Sequence, residues 1–93
     1  MHAESRSGYC LAVERVSRNS WELPYAAWVM DRTGFVVAFA RGRTASRAAS
    51  AALLDLRINC SDVGTADTIT ELYKAFKVEQ AKAALRACRR KTA

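Results

Sequence analysis

Short apolar runs in the first half of the chain predict β-strands. Tyr9, Leu11 and Val13 alternate with less apolar neighbours, which is the period-two pattern of a half-buried strand. Polar turn residues follow, and Pro24 sets a boundary before the next apolar run. We therefore predict three strands, at residues 9–16, 25–30 and 35–40.

The sequence DRTG, which joins the second and third predicted strands, favours a type I turn closed by Gly34 in the left-handed region. A bulge at this glycine would place Trp28 and Met30 on one face with Val36 and Ala38, whereas a plain four-residue loop swaps the pairing. Either way both faces are apolar. One face must meet the helices, and the other is an exposed apolar patch unless something covers it.

Apolar residues at helical spacing predict two helices in the second half of the chain. Thr44 is a suitable N-cap for a helix over residues 45–58, since its hydroxyl can accept from an unpaired backbone N–H. The alanines of this helix form a face of small side chains that allows close packing on the sheet, and Asn59 is a candidate terminator. The pair Thr68 and Glu71 fits a capping box, which predicts that the second helix starts near this point.

These elements define an α+β fold class, a three-stranded antiparallel sheet followed by two α-helices (βββαα). The 93 residues are enough for one domain with one core. We expect a single domain over residues 1–93, with residues 1–8 flexible and residues 89–93 forming a basic tail.

Composition narrows the class of protein. The chain is 51% hydrophobic and 26% charged, as in globular proteins. Residues 1–8 lack the apolar stretch of a signal peptide, and no run approaches the ~18 apolar residues of a membrane span. We therefore expect a cytoplasmic protein with no membrane association. The three cysteines, Cys10, Cys60 and Cys88, contain no CxxC spacing, so we predict buried free thiols without a disulfide or a metal site.

Catalytic side chains are few. His2 is the only histidine, and it lies in the segment predicted to be flexible, where nothing fixes its geometry for a cysteine–histidine pair. The acidic residues are scattered and are accounted for by turns, caps and ion pairs. We predict a protein that is not an enzyme and that has no cofactor.

The basic residues give the clearest indication of function in the sequence. The formal net charge is +6, and from Lys82 onward the chain has five basic residues and no acidic one. The spacing of Lys82, Arg86, Arg89 and Arg90 places them along one helical stripe, able to follow phosphates or to dock on an acidic protein surface. A second group, Arg41, Arg43 and Arg47, flanks the predicted start of the first helix, where an anionic partner could be met. The predicted partner-binding residues are Arg41, Arg43, Arg47, Lys82, Arg86, Arg89 and Arg90, although both groups can also be read as solvated surface.

The third predicted strand partly matches the aromatic and basic strand with which RNA-recognition domains stack bases. Arg32 and Arg41 flank its two phenylalanines, Phe35 and Phe39. Valines stand where that motif has glycine and aromatic residues, and no helix separates the first two strands. We therefore expect Phe35 and Phe39 to point into the core.

The hairpin, its DRTG turn and the alanine-rich stretch 44–56 are similar to small orphan proteins of phages and mobile elements, among them the anti-CRISPR inhibitors. The resemblance covers residues 25–58 and rests on size and architecture. Since those inhibitors share no common motif, no functional residue carries over.

The resemblance implies a small, non-enzymatic phage protein, monomeric or homodimeric, that inhibits a bacterial effector by occupying its surface. The expected partner is a protein complex of the bacterial host, and an effector that itself binds nucleic acid is one such complex. The alternative is a small nucleic-acid-binding module that uses the basic C-terminal helix. A structural phage component or an antitoxin-like protein is a third option.

Overall fold

The polypeptide forms an antiparallel sheet followed by two helices in the computed structural model, which describes residues 1–18, 23–59 and 63–92. The four strands lie side by side in chain order, each antiparallel to the next. The elements are β1 (His2–Glu4), β2 (Cys10–Arg15), β3 (Tyr25–Met30), β4 (Val36–Gly42), α1 (Ala45–Asn59) and α2 (Val63–Thr92). The α+β class and the two helices after the sheet are thus confirmed.

The prediction of three strands is wrong by one. Residues 1–8, expected to be flexible, contain β1, which pairs with β2. The terminal ammonium donates to the Val13 carbonyl at 3.0 Å, and Ala3, only 3% exposed, belongs to the core. A strand with one apolar residue between two polar ones gives almost no periodic signal, which is why the pattern missed it.

The turn between β3 and β4 has the predicted chemistry. Gly34 has a φ of 86°, and its N–H donates to the Asp31 carbonyl at 3.0 Å. The Asp31 carboxylate accepts from the Thr33 hydroxyl at 2.6 Å and from the backbone N–H groups of Thr33 and Phe35 at 2.9 and 3.1 Å. The Thr33 hydroxyl bond above all, with these two backbone bonds, lowers the pKa of Asp31.

Replacing Gly34 with valine will lower the free energy of unfolding by about 1 kcal/mol, because a β-branched residue is strained at positive φ. Open space surrounds the position where a Cβ would stand, so backbone strain is the only cost. Asparagine tolerates this backbone region, and Gly34→Asn is the matched control. Equal urea midpoints for the valine variant and the wild type would contradict the left-handed turn.

Neither predicted pairing of the hairpin faces is right. Trp28 pairs with Phe39 and Met30 with Val36, and a register shift leaves Val37 between them without a partner. The bulge therefore lies inside β4 rather than at the glycine. As a result Phe39 shares the face of Trp28 and is 46% exposed.

The prediction that Phe35 and Phe39 point into the core is also wrong. Phe35 precedes β4 and is 70% exposed. The bulge at Val37 reverses the alternation between Phe35 and the rest of β4, so spacing alone could not assign their faces.

Helix α1 packs across β4 and β3 through a face of small residues. Ala48, Ala49 and Ala52 are fully buried there, as the alanine pattern predicts. The Thr44 hydroxyl accepts from the Arg47 N–H at 3.1 Å, which confirms the N-cap. The helix ends at Asn59, as predicted.

Helix α2 starts at Val63, earlier than predicted, and the capping box is wrong. Thr68 is 7% exposed inside the helix, and its hydroxyl bonds with that of Ser7 at 3.2 Å. The Glu71 carboxylate accepts from the Arg6 N–H at 2.9 Å instead of capping the helix. Both side chains therefore tie the β1–β2 connection to α2.

One core cluster joins the helices to one face of the sheet. From α2 it takes Leu72 and Phe76, at 0% and 1% exposure. The predicted basic tail continues α2 as far as Thr92, and Ala93 lies outside the described residues. None of the helices in the described parts of the chain is long and apolar enough to cross a membrane.

Candidate partner-binding surfaces

The sheet has one face turned away from the helices, here called the open face. Its apolar members are Cys10, Ala12, Ala26, Trp28, Met30, Val36 and Phe39, in register across β2, β3 and β4. None of them belongs to the cluster in which the opposite face packs on α1 and α2. Within residues 1–18, 23–59 and 63–92, no helix packs on this face.

An aromatic pair lies at the centre of the open face. The rings of Trp28 and Phe39 have centroids 5.6 Å apart and an interplanar angle of 51°. Val36, one row away, is 45% exposed, similar to Phe39. A tilted aromatic pair at this separation is favourable beyond the area that it buries, so each ring stabilises the orientation of the other.

Arg41 lies on a different part of the surface from the other predicted arginines. It lies on β4 in register with Ala26, in the same cross-strand row as Glu14. Its guanidinium donates to the Leu23 carbonyl at 2.7 Å. Arg41 therefore borders the open face, where it can contribute charge at the edge of an apolar patch.

The remaining predicted residues come together at one end of the molecule. Gln80 Nε2 donates to the Ser46 hydroxyl at 3.0 Å, which fixes the start of α1 beside the middle of α2. Exposed Arg43 and Arg47 stand at that start. The arginines at the start of α1 and the basic residues of α2 after Gln80 are far apart in the sequence but thus lie in the same region of the surface.

Beyond Gln80, α2 extends past the start of α1. Residues 81–89 are exposed except for Ala83 and contain no acidic side chain, and at 1.5 Å per residue they add about 13 Å of helix. Lys82 makes only an exposed 3.5 Å pair with Glu79, which salt screens. The side chain of Arg90 lies outside the described part. We call Arg43, Arg47, Lys82, Arg86 and Arg89 the basic end.

Helix termini of both signs lie at the basic end: α2 ends there at Thr92 with a partial negative charge, which its own basic residues offset. The N-terminus of α1 carries a partial positive charge from its aligned peptide dipoles, in the same region as the arginines. No aromatic side chain is interleaved in residues 81–89, so this surface offers attraction to an anion rather than base stacking.

The cysteines differ from their predicted state. Cys88 is exposed and Cys10 is half-buried, so the prediction of buried thiols is wrong for Cys88; Cys60 lies outside the described residues. Burial, with the nearby Glu4 carboxylate, raises the pKa of the Cys10 thiol, which lowers its reactivity.

Chemistry-bearing side chains are scattered in the described structure. His2 is exposed on β1. In residues 1–18, 23–59 and 63–92, no group of three histidine, cysteine or acidic side chains is placed to hold a metal ion. The candidate functional features described above are two surfaces, the open face and the basic end.

No family model, curated protein or solved structure matches this chain. The functional argument therefore rests on the open face and the basic end alone. Sequence reasoning found the basic residues but placed Phe39 in the core. The cross-strand row that joins Phe39 to Trp28 depends on the β4 bulge, for which the sequence carries no glycine signal.

Proposed function

We propose that this chain is a non-enzymatic protein that acts by stoichiometric binding to a protein complex of a bacterial host. In this proposal it is a phage-type inhibitor, like the anti-CRISPR proteins, and works in the host cytoplasm. The observation that carries the proposal is the Trp28–Phe39 pair on the open face, in which Phe39 is 46% exposed and Trp28 is half-buried.

Aromatic side chains on a rigid sheet suit the central contacts of a protein interface. Trp and Tyr dominate the residues whose truncation costs most binding energy, and they lose little conformational entropy when bound. The Trp28–Phe39 pair has apolar neighbours in Met30 and Val36 and polar ones in Glu14 and Arg41. This arrangement of an apolar centre and a charged rim is typical of interfaces.

The basic end supplies long-range attraction in this proposal. Charges of one sign raise the rate at which an acidic partner surface is met, and their effect falls as salt rises. The lack of aromatic residues among 81–89 favours this role over base recognition. The expected partner surface is therefore rich in acidic residues and has an apolar centre.

Charge reversal at the basic end will slow association with the purified partner complex. Lys82→Glu with Arg86→Glu should lower the association rate about tenfold at low salt and less at high salt, because both side chains are exposed. Phe39→Ser should instead speed dissociation. Surface plasmon resonance at two salt concentrations measures both rates.

Two matched variants serve as controls for that measurement. Arg6→Glu with Arg32→Glu makes an equal change of charge at two exposed positions outside the basic end, and Phe35→Ser removes a phenylalanine that is exposed but outside the open face. Rate changes in these variants equal to those at the basic end and at Phe39 would contradict the proposal.

The second candidate function is nucleic-acid binding through the basic end. It is favoured by one observation: Arg43, Arg47, Lys82 and Arg86 lie at the same end although their sequence positions are distant. A gel-shift assay with random DNA and RNA distinguishes the two functions. Tight, sequence-selective binding that survives physiological salt, with no protein partner recovered, would favour the nucleic-acid module.

A further inference from the structure

A groove runs between α1 and α2 on the side of the helix pair that faces away from the sheet. Its volume is about 390 Å³, and its lining includes Leu53, Leu54, Ile69 and Tyr73, with Arg57 and Lys74 at the rim. The two helices are antiparallel, since Ser46 meets Gln80 while Leu54 lies across from Tyr73. The groove therefore lies between residues 50–57 of α1 and residues 69–74 of α2 and is open to solvent.

Several large apolar side chains at this groove are exposed and are not part of the buried core. Leu54 is 57% exposed, and Ile58, one turn further along α1 and just beyond the residues that line the groove, is 72% exposed. Tyr73 on the facing helix is 39% exposed. The inward face of α1 already buries Leu53 and Leu56. Exposed large apolar residues grouped along one channel mark an interaction site more often than chance exposure does.

The charges around the groove are basic. Arg57 and Lys74 belong to its lining, and Lys77 Nζ lies 5.3 Å from the centre of the Tyr73 ring. Two nearby acids have other partners: the Asp55 carboxylate accepts from the Phe39 backbone N–H and the Asn59 side-chain amide, and Glu71 accepts from the Arg6 backbone N–H. Asp67, exposed on α2 three residues before Thr70, is not among the residues that line the groove. A ligand of this groove therefore meets an apolar floor between positive edges.

We propose that this groove docks an acidic amphipathic helix of a partner protein. An apolar groove between two helices suits a third helix, whose apolar residues at i, i+4 and i+7 contact Leu54, Ile69 and Tyr73. Glutamates beside them pair with Arg57 and Lys74. A second copy of this chain is a poor occupant, because its own groove carries the same basic rim and the net charge is +6. This docking site is independent of the open face and the basic end.

Synthetic peptides of about five helical turns test the proposal directly by fluorescence anisotropy. One peptide carries leucines at the stated spacing with glutamates beside them, the second replaces the glutamates with lysines, and the third replaces the leucines with glutamines. The first should bind about tenfold more tightly than either of the others. Leu54→Gln with Ile58→Gln should weaken it about tenfold, since these exposed positions leave the core intact.

Charge reversal separates the groove from general attraction to a basic protein. Arg57→Glu with Lys74→Glu should weaken binding of the acidic peptide and strengthen that of the lysine peptide. Arg86→Glu with Lys82→Glu, an equal change at the basic end, should have a much smaller effect. Equal losses from the two charge variants, or equal binding of the glutamine peptide, would overturn the proposal. So would sedimentation of a dimer that Leu54→Gln with Ile58→Gln abolishes, because a second copy would then fill the groove.

Discussion

Replacing Phe76 with alanine will remove a large part of the protein's free energy of unfolding. Phe76 is 1% exposed, the largest of the fully buried side chains of the described structure, and it joins α2 to the core cluster that holds β1, β2 and α1. Removing a buried phenylalanine costs about 3–5 kcal/mol, the sum of lost transfer energy and the cavity left behind. A domain of this size is stable by only about 5–14 kcal/mol.

Urea denaturation followed by circular dichroism measures this loss. Phe35→Ala is the matched control, because the same side chain is removed from a 70% exposed position, and its effect should stay within about 0.5 kcal/mol. If the two variants had equal unfolding free energies, α2 would not be packed through Phe76.

Replacing Gly42 with alanine will also be strongly destabilising, for a steric reason. Gly42 is buried at the end of β4, where the chain turns into α1. A Cβ at this position would stand 2.5 Å from the Ala48 nitrogen and 2.9 Å from the Arg47 carbonyl carbon. Since backbone atoms move only at a large cost in energy, we expect the free energy of unfolding to fall by about 2–3 kcal/mol.

Comparing Gly42→Ala with Gly34→Asn separates this steric clash from the effect of backbone conformation. At Gly34 the space is open and only the backbone angle is demanding, so asparagine should be accepted there with little loss. At Gly42 any side chain meets α1, and serine should be as damaging as alanine. A Gly42→Ala protein with the wild-type urea midpoint would mean that β4 and α1 lie further apart than described.

Local signals explain which parts of the fold the sequence predicts. The Thr44 cap, the left-handed Gly34 and the alanine face of α1 each depend on residues within one turn of each other, and all three were predictable. The strand β1 and the role of Glu71 depend on contacts between residues about 10 and 65 positions apart. Such contacts leave no periodic pattern in either segment.

The candidate surfaces also combine features that the sequence predicts with features that depend on contacts between distant residues. The basic residues could be named because charge is visible in the sequence, but their assembly at one end needs the contact between Ser46 and Gln80. Regular alternation through Val37 predicts Phe39 in the core, and the bulge that overturns this prediction has no residue signature. The groove between the helices includes Leu54, an exposed residue of α1 that lies outside the buried stripe of that helix.

Affinity purification of the tagged chain from a nuclease-treated bacterial lysate tests the central claim most directly. The account predicts that one protein complex is recovered in stoichiometric amount after nuclease treatment, that Phe39→Ser as bait loses it, and that Phe35→Ser retains it. Recovery that depends on intact nucleic acid, or equal recovery by Phe39→Ser and wild type, would contradict binding through the open face.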